Sequence, residues 1–158
     1  MRQTKTRELA LLAVLTALSV VLGKFLSLPT PTGFVTLLDA GVVFTALYLG
    51  KRQGAIVGAA SGFLIDLIGG YASWMVFSLI IHGAQGYLAG LTGKSHYLGL
   101  VGTFVVMVGG YAFGRGLLYG WAAALPGMSA EFMQNLVGLI AGYALNLAFG
   151  RFGGNSRA

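Results

Sequence analysis

The sequence predicts an all-α integral membrane protein: a compact bundle of six transmembrane helices with cytoplasmic N and C termini. Three observations carry this. The 158 residues are 56% hydrophobic and 9% charged, with a mean hydropathy of +0.81, whereas soluble domains carry about 25% charged residues. Six apolar stretches fill the chain, and a bilayer-spanning helix needs about 20 mostly apolar residues. Nearly every basic residue between the stretches falls at an alternate junction. Residues 1–158 are therefore expected to form one transmembrane domain.

The first span, 8–28, resembles a signal-peptide core, but it has no clear small-residue cleavage site and further spans follow it. It reads as a retained helix. The loop Ser27-Leu28-Pro29-Thr30-Pro31-Thr32-Gly33 is too rich in proline and threonine to be helical, and its length suits a lid or a substrate-contacting loop. The second span, 38–50, is short for a bilayer and meets the third, 53–70, through Gly50, Lys51 and Arg52, so tilt or burial in protein is expected. Spans four to six cover 73–93, 98–125 and 129–150. Gly54, Gly58 and Gly62 repeat every fourth residue, as do Gly86/Gly90, Gly110/Gly114, Gly116/Gly120 and Gly138/Gly142. That spacing lets helix backbones approach closely, which matters where lipid removes the hydrophobic drive between helices.

Ten Lys and Arg against four Asp and Glu give a net charge of +6. In a soluble chain this suggests nucleic acid; here the charges sit at helix ends and no nucleic-acid partner is expected. Arg2, Lys5 and Arg7 precede span one, Lys51 and Arg52 separate spans two and three, Lys94 separates four and five, and Arg151 and Arg157 follow span six. The intervening loops carry no Lys or Arg, which by the positive-inside rule puts both termini in the cytoplasm. The absence of cysteine removes disulfides, thiolate catalysis and zinc-thiolate sites. No His or carboxylate pair has metal-ligand spacing and no phosphate-binding loop is present, so no metal or cofactor is expected and any ATP use belongs to a partner.

An ionisable group inside a membrane costs several kcal/mol by insertion scales and asks for a partner or a function. Lys24, Asp39, Asp66, His82, Arg115 and Glu131, with Gln85, Gln134, Asn135 and Asn146, are the polar groups, and except for Asn146 and the slightly deeper Gln85 the topology puts them in the outer half. An outward-opening pocket accounts for this. Tyr111, Arg115 and Tyr119 recur every fourth residue and share one helix side, an aromatic, cation, aromatic face suited to a small ring with a polar or anionic substituent. Alternatives stay open for each. Arg115 reads as a ligand contact or as an ion pair with Asp66; His82 as a ligand contact or a satisfied interior histidine; Lys24 as a ligand contact or a snorkelling side chain. Asp39 reads as a helix cap or a site residue, and Trp74 and Trp121 as interfacial anchors or pocket wall. Ala10, Ala13 and Ala17 make a smooth stripe on span one, for packing within the bundle or for docking a second membrane protein. The run Gly58-Ala59-Ala60-Ser61-Gly62 resembles the serine motif of rhomboid proteases, off by one residue, with His82 as its imagined base.

The segments 38–50, 53–62 and Asp66-Leu67-Ile68-Gly69-Gly70 together resemble the substrate-binding S components of energy-coupling factor (ECF) vitamin transporters, and six spans with inside termini match across the chain. Ala13-x-x-x-Ala17, with Ala10 one turn earlier, is similar to that family's alanine motif for meeting the coupling subunit. The resemblance implies a high-affinity binding protein of a prokaryotic plasma membrane, with no catalysis of its own. It implies partners: a transmembrane coupling subunit and two cytoplasmic ATPases, on which the protein reorients to turn an outward pocket inward. It places the ligand near the outer side, where this chain carries Trp74, Ser78, His82, Tyr111, Arg115, Tyr119, Gln134 and Asn135, with Lys24 and Asp39 nearby. The expected ligand is a small heteroaromatic alcohol, pyridoxine or hydroxymethylpyrimidine; a carboxylated vitamin such as pantothenate is the alternative, and a stand-alone carrier or a rhomboid-like hydrolase the readings from other classes.

Overall fold

Six helical rods form the bundle, and a small β-hairpin is inserted between the first two. The computed structural model describes residues 2–30 and 33–153; Arg157, and Pro31 and Thr32 of the first loop, lie outside them. In order come α1 (Arg2–Phe25), β1 (Ser27–Thr30), β2 (Gly33–Thr36), α2 (Leu38–Leu49), α3 (Lys51–Gly69), α4 (Met75–Ala89), α5 (His96–Phe104), α6 (Gly110–Tyr119) and α7 (Ala124–Gly153). A π-helical turn at Val105–Gly109 joins α5 to α6, so these two pieces make one rod. Three stretches are long and apolar enough to cross a membrane, Lys5–Phe25, Gly93–Tyr119 and Trp121–Gly150, with shorter apolar helices at Leu38–Leu49 and Met75–Ala89.

The loop expected to be non-helical is extended: β1 pairs antiparallel with β2 in the register Leu28 to Val35 and Pro29 to Phe34. Proline lacks an N–H and is tolerated only at such a sheet edge. Two corners differ from the sequence reading. Lys51 and Arg52 do not separate helices but open α3, because Gly50 turns the chain alone with φ 114°. The fifth rod ends at Tyr119 rather than 125, because Gly120 adopts φ 92°, and the last helix starts at Ala124 rather than 129. Pro126 lies in its first turn, where a missing N–H breaks no helical hydrogen bond.

The bundle has two chemically distinct ends. At one, Gln53 Nε2 donates to Glu8 Oε1 (3.0 Å), Lys51 Nζ sits 5.2 Å from the Tyr87 ring centroid, and the Tyr143 hydroxyl meets His96 Nε2 at 2.5 Å. Lys5, Arg7, Lys51, Arg52 and Lys94 gather there by chain position. At the other end lie the hairpin and the polar groups described below.

The glycine spacing of α3 is a backbone seam. A side chain on Gly54 would meet the Gly86 carbonyl oxygen at 2.7 Å, one on Gly62 the Ser78 carbonyl oxygen at 2.6 Å, and one on Gly58 would collide with the His82 carbonyl. Gly142 lies as tightly against Val43, bringing α7 onto α2. On α1 the buried positions Leu12, Thr16, Ser19, Val20 and Gly23 follow a helical period, and Ala10, Ala13 and Ala17 lie exposed on the rest of the surface. The stripe does not pack within the bundle. Gly58→Leu is expected to lower stability by about 3 kcal/mol or more, because the obstacle is backbone and cannot repack. Gly150→Ala, at a position facing open space, is expected to be neutral; thermal unfolding in detergent compares the two.

Candidate functional site

The hairpin end collects side chains from five rods. On α4 and the residue before it, Trp74, Ser78, His82 and Gln85 are all buried and spaced three or four apart, so one helix stripe carries them inward. On α7 the inward stripe reads Glu131, Gln134, Asn135, Gly138, Leu139 and Gly142, polar toward the hairpin end and small or apolar beyond it.

His82, only 2% exposed, is the hub. Its Nδ1 lies 2.9 Å from Asp39 Oδ1 in a charge contact and 3.3 Å from Gln85 Oε1, to which it donates, while Nε2 meets the Tyr111 hydroxyl at 2.9 Å. Tyr111 in turn meets the Ser78 hydroxyl at 2.9 Å, and the Asp66 carboxyl group lies beside Ser78. Gln85 Nε2 donates to Asn135 Oδ1 (2.9 Å), and Asn135 Nδ2 donates to Thr103 Oγ1 (3.0 Å). The π turn falls between Thr103 and Tyr111. Its extra residue sets the register by which one rod meets both Asn135 and His82.

Trp74 is buried rather than placed as an interfacial anchor: its Nε1 donates to the Tyr119 hydroxyl (3.1 Å) and its ring lies 5.5 Å from Tyr111 and 6.1 Å from Tyr119 between centroids. Gly114 makes the room for it. Trp121 is exposed. Arg115 pairs with Glu131 instead of Asp66, across the corner between α6 and α7, with Gly127 directly under the guanidinium. Asp39 does not cap α2; the Thr36 hydroxyl accepts the Leu38 N–H (3.0 Å), freeing the carboxylate to face His82. Gln134 holds the hairpin, its Oε1 accepting the Thr36 N–H at 2.9 Å. It also lines an apolar cleft of about 540 Å³ between Phe25, the hairpin and Val137. Lys24 stays apart from the hub, exposed beside a cleft of about 180 Å³ with Ser27, Pro29 and Tyr71.

Sequence reasoning missed Thr103 as a member of this constellation, and named Gln85 and Glu131 only as intramembrane polar groups, not as site residues. Their helical offsets from His82, Asn135 and Tyr111 were visible, but which rods face one another was not. Ser61, the candidate nucleophile, donates to the Val57 carbonyl of its own helix (2.5 Å), a common resting place for serine inside helices. Among the described residues Ser61 makes its hydrogen bonds to carbonyls of its own helix and to no histidine, and no group of three metal-ligating side chains gathers.

A buried set of imidazole, hydroxyls, amides and aromatic rings thus gathers at one end of an apolar helical bundle. The chain matches the family of the ECF-type riboflavin transporter, S component, over residues 3–151. It is 44% identical over 151 residues, 93% of this chain and 90% of the relative, to the thiamine precursor transporter HmpT of Lactococcus lactis subsp. cremoris (strain MG1363). It is 32% identical over 124 residues, 75% of this chain and 83% of the relative, to a Pyrococcus woesei protein described as an uncharacterized protein in gap 3' region. The chain belongs to the S components of ECF transporters, substrate-binding membrane subunits for vitamins and their precursors that perform no enzymatic reaction.

Removing one member of the buried Arg115 and Glu131 pair leaves an uncompensated charge. Arg115→Met is expected to cost about 3 to 5 kcal/mol, and adding Glu131→Leu to recover most of it. Chemical unfolding of the three proteins without ligand measures both.

Proposed function

We propose that this chain captures hydroxymethylpyrimidine, a single-ring heteroaromatic alcohol, from the outer face and delivers it inward on an ECF module of a coupling subunit and two ATPases. The observation that carries this reading is the hub itself. Aromatic walls (Trp74, Tyr111, Tyr119) stand beside hydroxyl and imidazole groups (Ser78, His82) matched to a flat ring with a hydroxymethyl arm. Identity of 44% to a thiamine precursor transporter supports the same ligand class. The site's formal charge argues against a carboxylated vitamin: Asp39, Asp66 and Glu131 face only His82 and Arg115, and Arg115 is already engaged by Glu131. Pantothenate would bring a fourth carboxylate. Riboflavin, the word in the family's description, presents ring carbonyls that meet these carboxylates unfavourably.

In this reading Trp74, Ser78, His82, Tyr111 and Tyr119 touch ligand, Gln134 and Asn135 hold the surrounding frame, and Arg115 fixes the corner of α6 and α7. Clustering of Lys5, Arg7, Lys51, Arg52 and Lys94 opposite the hairpin supports a cytoplasmic placement of that end. The exposed Ala10, Ala13 and Ala17 are the surface we assign to the coupling subunit, since small side chains let another helix approach.

Calorimetry on the detergent-purified chain is expected to give submicromolar binding of one hydroxymethylpyrimidine per chain, with riboflavin and pantothenate at least about 100-fold weaker. Tight riboflavin binding without pyrimidine binding overturns the ligand assignment. Ala13→Trp is expected to leave that affinity intact and abolish co-purification with co-expressed module subunits. Retained association removes the alanine surface from the proposal.

A further inference from the structure

The buried hydrogen-bond network has a direction, and following it from its fixed end shows which valence is left for a ligand. The Thr103 hydroxyl donates to the Leu100 carbonyl (2.7 Å), so Thr103 Oγ1 accepts from Asn135 Nδ2. Asn135 Oδ1 then accepts from Gln85 Nε2, and Gln85 Oε1 is turned toward His82 Nδ1. Two acceptors, Gln85 Oε1 and Asp39 Oδ1, face that nitrogen, so it carries hydrogen. From the other side, the Ser78 hydroxyl shares a hydrogen bond with the Tyr111 hydroxyl, and Tyr111 shares one with His82 Nε2. Every donor in the string has a partner. What is left over in this string is acceptor only, on two carboxylates: Asp39 Oδ1 and Oδ2 and Asp66 Oδ2 are buried with no hydrogen bond.

The two differ in access. Asp39 is fully buried beneath α7, where a side chain on Gly138 would collide with its Cβ. Asp66 is 5% exposed and lies one turn from the hairpin end of α3. Leaving a buried carboxylate oxygen unsatisfied is costly, and in a site without bulk water it is most simply satisfied by a ligand that donates.

We infer that Asp66 is the specificity-determining acceptor of the site, and that it selects a ring bearing an exocyclic amino group next to a ring nitrogen, by accepting the amino N–H on Oδ2. This deepens the functional reading above and rests on it. A counterpart with an oxo group in place of the amino group sets a carbonyl against the carboxylate, and a site built to pair a donor rejects a ligand that lacks it.

The test is titration calorimetry of the intact purified chain with hydroxymethylpyrimidine, which carries the amino group, and with its oxo counterpart. The wild type is expected to prefer the amino ligand by about 100-fold. Asp66→Asn is expected to narrow that preference to about threefold or less, since an amide both donates and accepts. A purely structural role for Asp66 lowers both affinities and leaves their ratio unchanged, which overturns the inference. Should Asp66→Asn fail to fold, the wild type alone decides: equal affinities for the two ligands overturn the inference and leave the functional reading standing. Binding of neither ligand overturns both.

Discussion

An imidazole buried within a helical bundle is costly unless its ring nitrogens find hydrogen-bond partners. His82 draws those partners from α2 (Asp39), α4 (Gln85) and α6 (Tyr111), and a side chain on Gly62 of α3 would press on its ring. The positions of four helices are thus tied to one ring. The tie holds only because the α3 and α4 backbones touch along Gly54, Gly58 and Gly62. With the helices a side chain further apart, Asp66 would not reach Ser78, and the string from Asp39 to Asp66 would be cut.

Packing and chemistry are divided between the two ends. Toward the basic end, contacts are close and mostly non-ionic: Ala46 and Gly90 near Gly54 and Lys51, the Phe44 ring near Phe149, Tyr143 on His96. Toward the hairpin the same rods carry Asp39, Asp66, His82 and Glu131. A well-packed half is what makes an electrostatically demanding half tolerable, because the polar groups pair correctly only if the rods cannot slide. The π turn at Val105–Gly109 is one such adjustment, fitting a single rod to Asn135 on one side of the insertion and His82 on the other.

Much of this was legible in the sequence because hydropathy and glycine period are local signals. The six helical rods, the small-residue seam of α3 and the gathering of Trp74, Ser78, His82, Tyr111 and Arg115 toward one end all follow from residue order. The pairing of Arg115 was not legible: Asp66 and Glu131 lie at comparable depth, and only the short corner from Gly120 to Ala124 decides that α7 is the nearer helix. Gly120 followed by Pro126 was a usable signal for an earlier start to α7, since proline is favoured in a first helical turn. The hairpin was half legible. Pro29 and Thr30 exclude a helix, but pairing of Leu28 with Val35 depends on Gln134, about a hundred residues away, holding Thr36.

That distant bond also makes α1 more than a wall of the bundle. Its inward face, Leu12 to Gly23, packs on α2 and α3, its outward face presents the alanines, and its end continues into the hairpin, where the Leu26 carbonyl accepts the Leu37 N–H (3.1 Å). The hairpin is therefore tethered at its base to α1 and, through Thr36 and Gln134, to α7. A tilt of α1 against α7 therefore acts on the hairpin, which the bond between Thr36 and Gln134 joins to α7. That bond thus connects the hairpin that follows α1, whose outward face carries the alanines, to α7, whose inward face carries Asn135 of the network around His82.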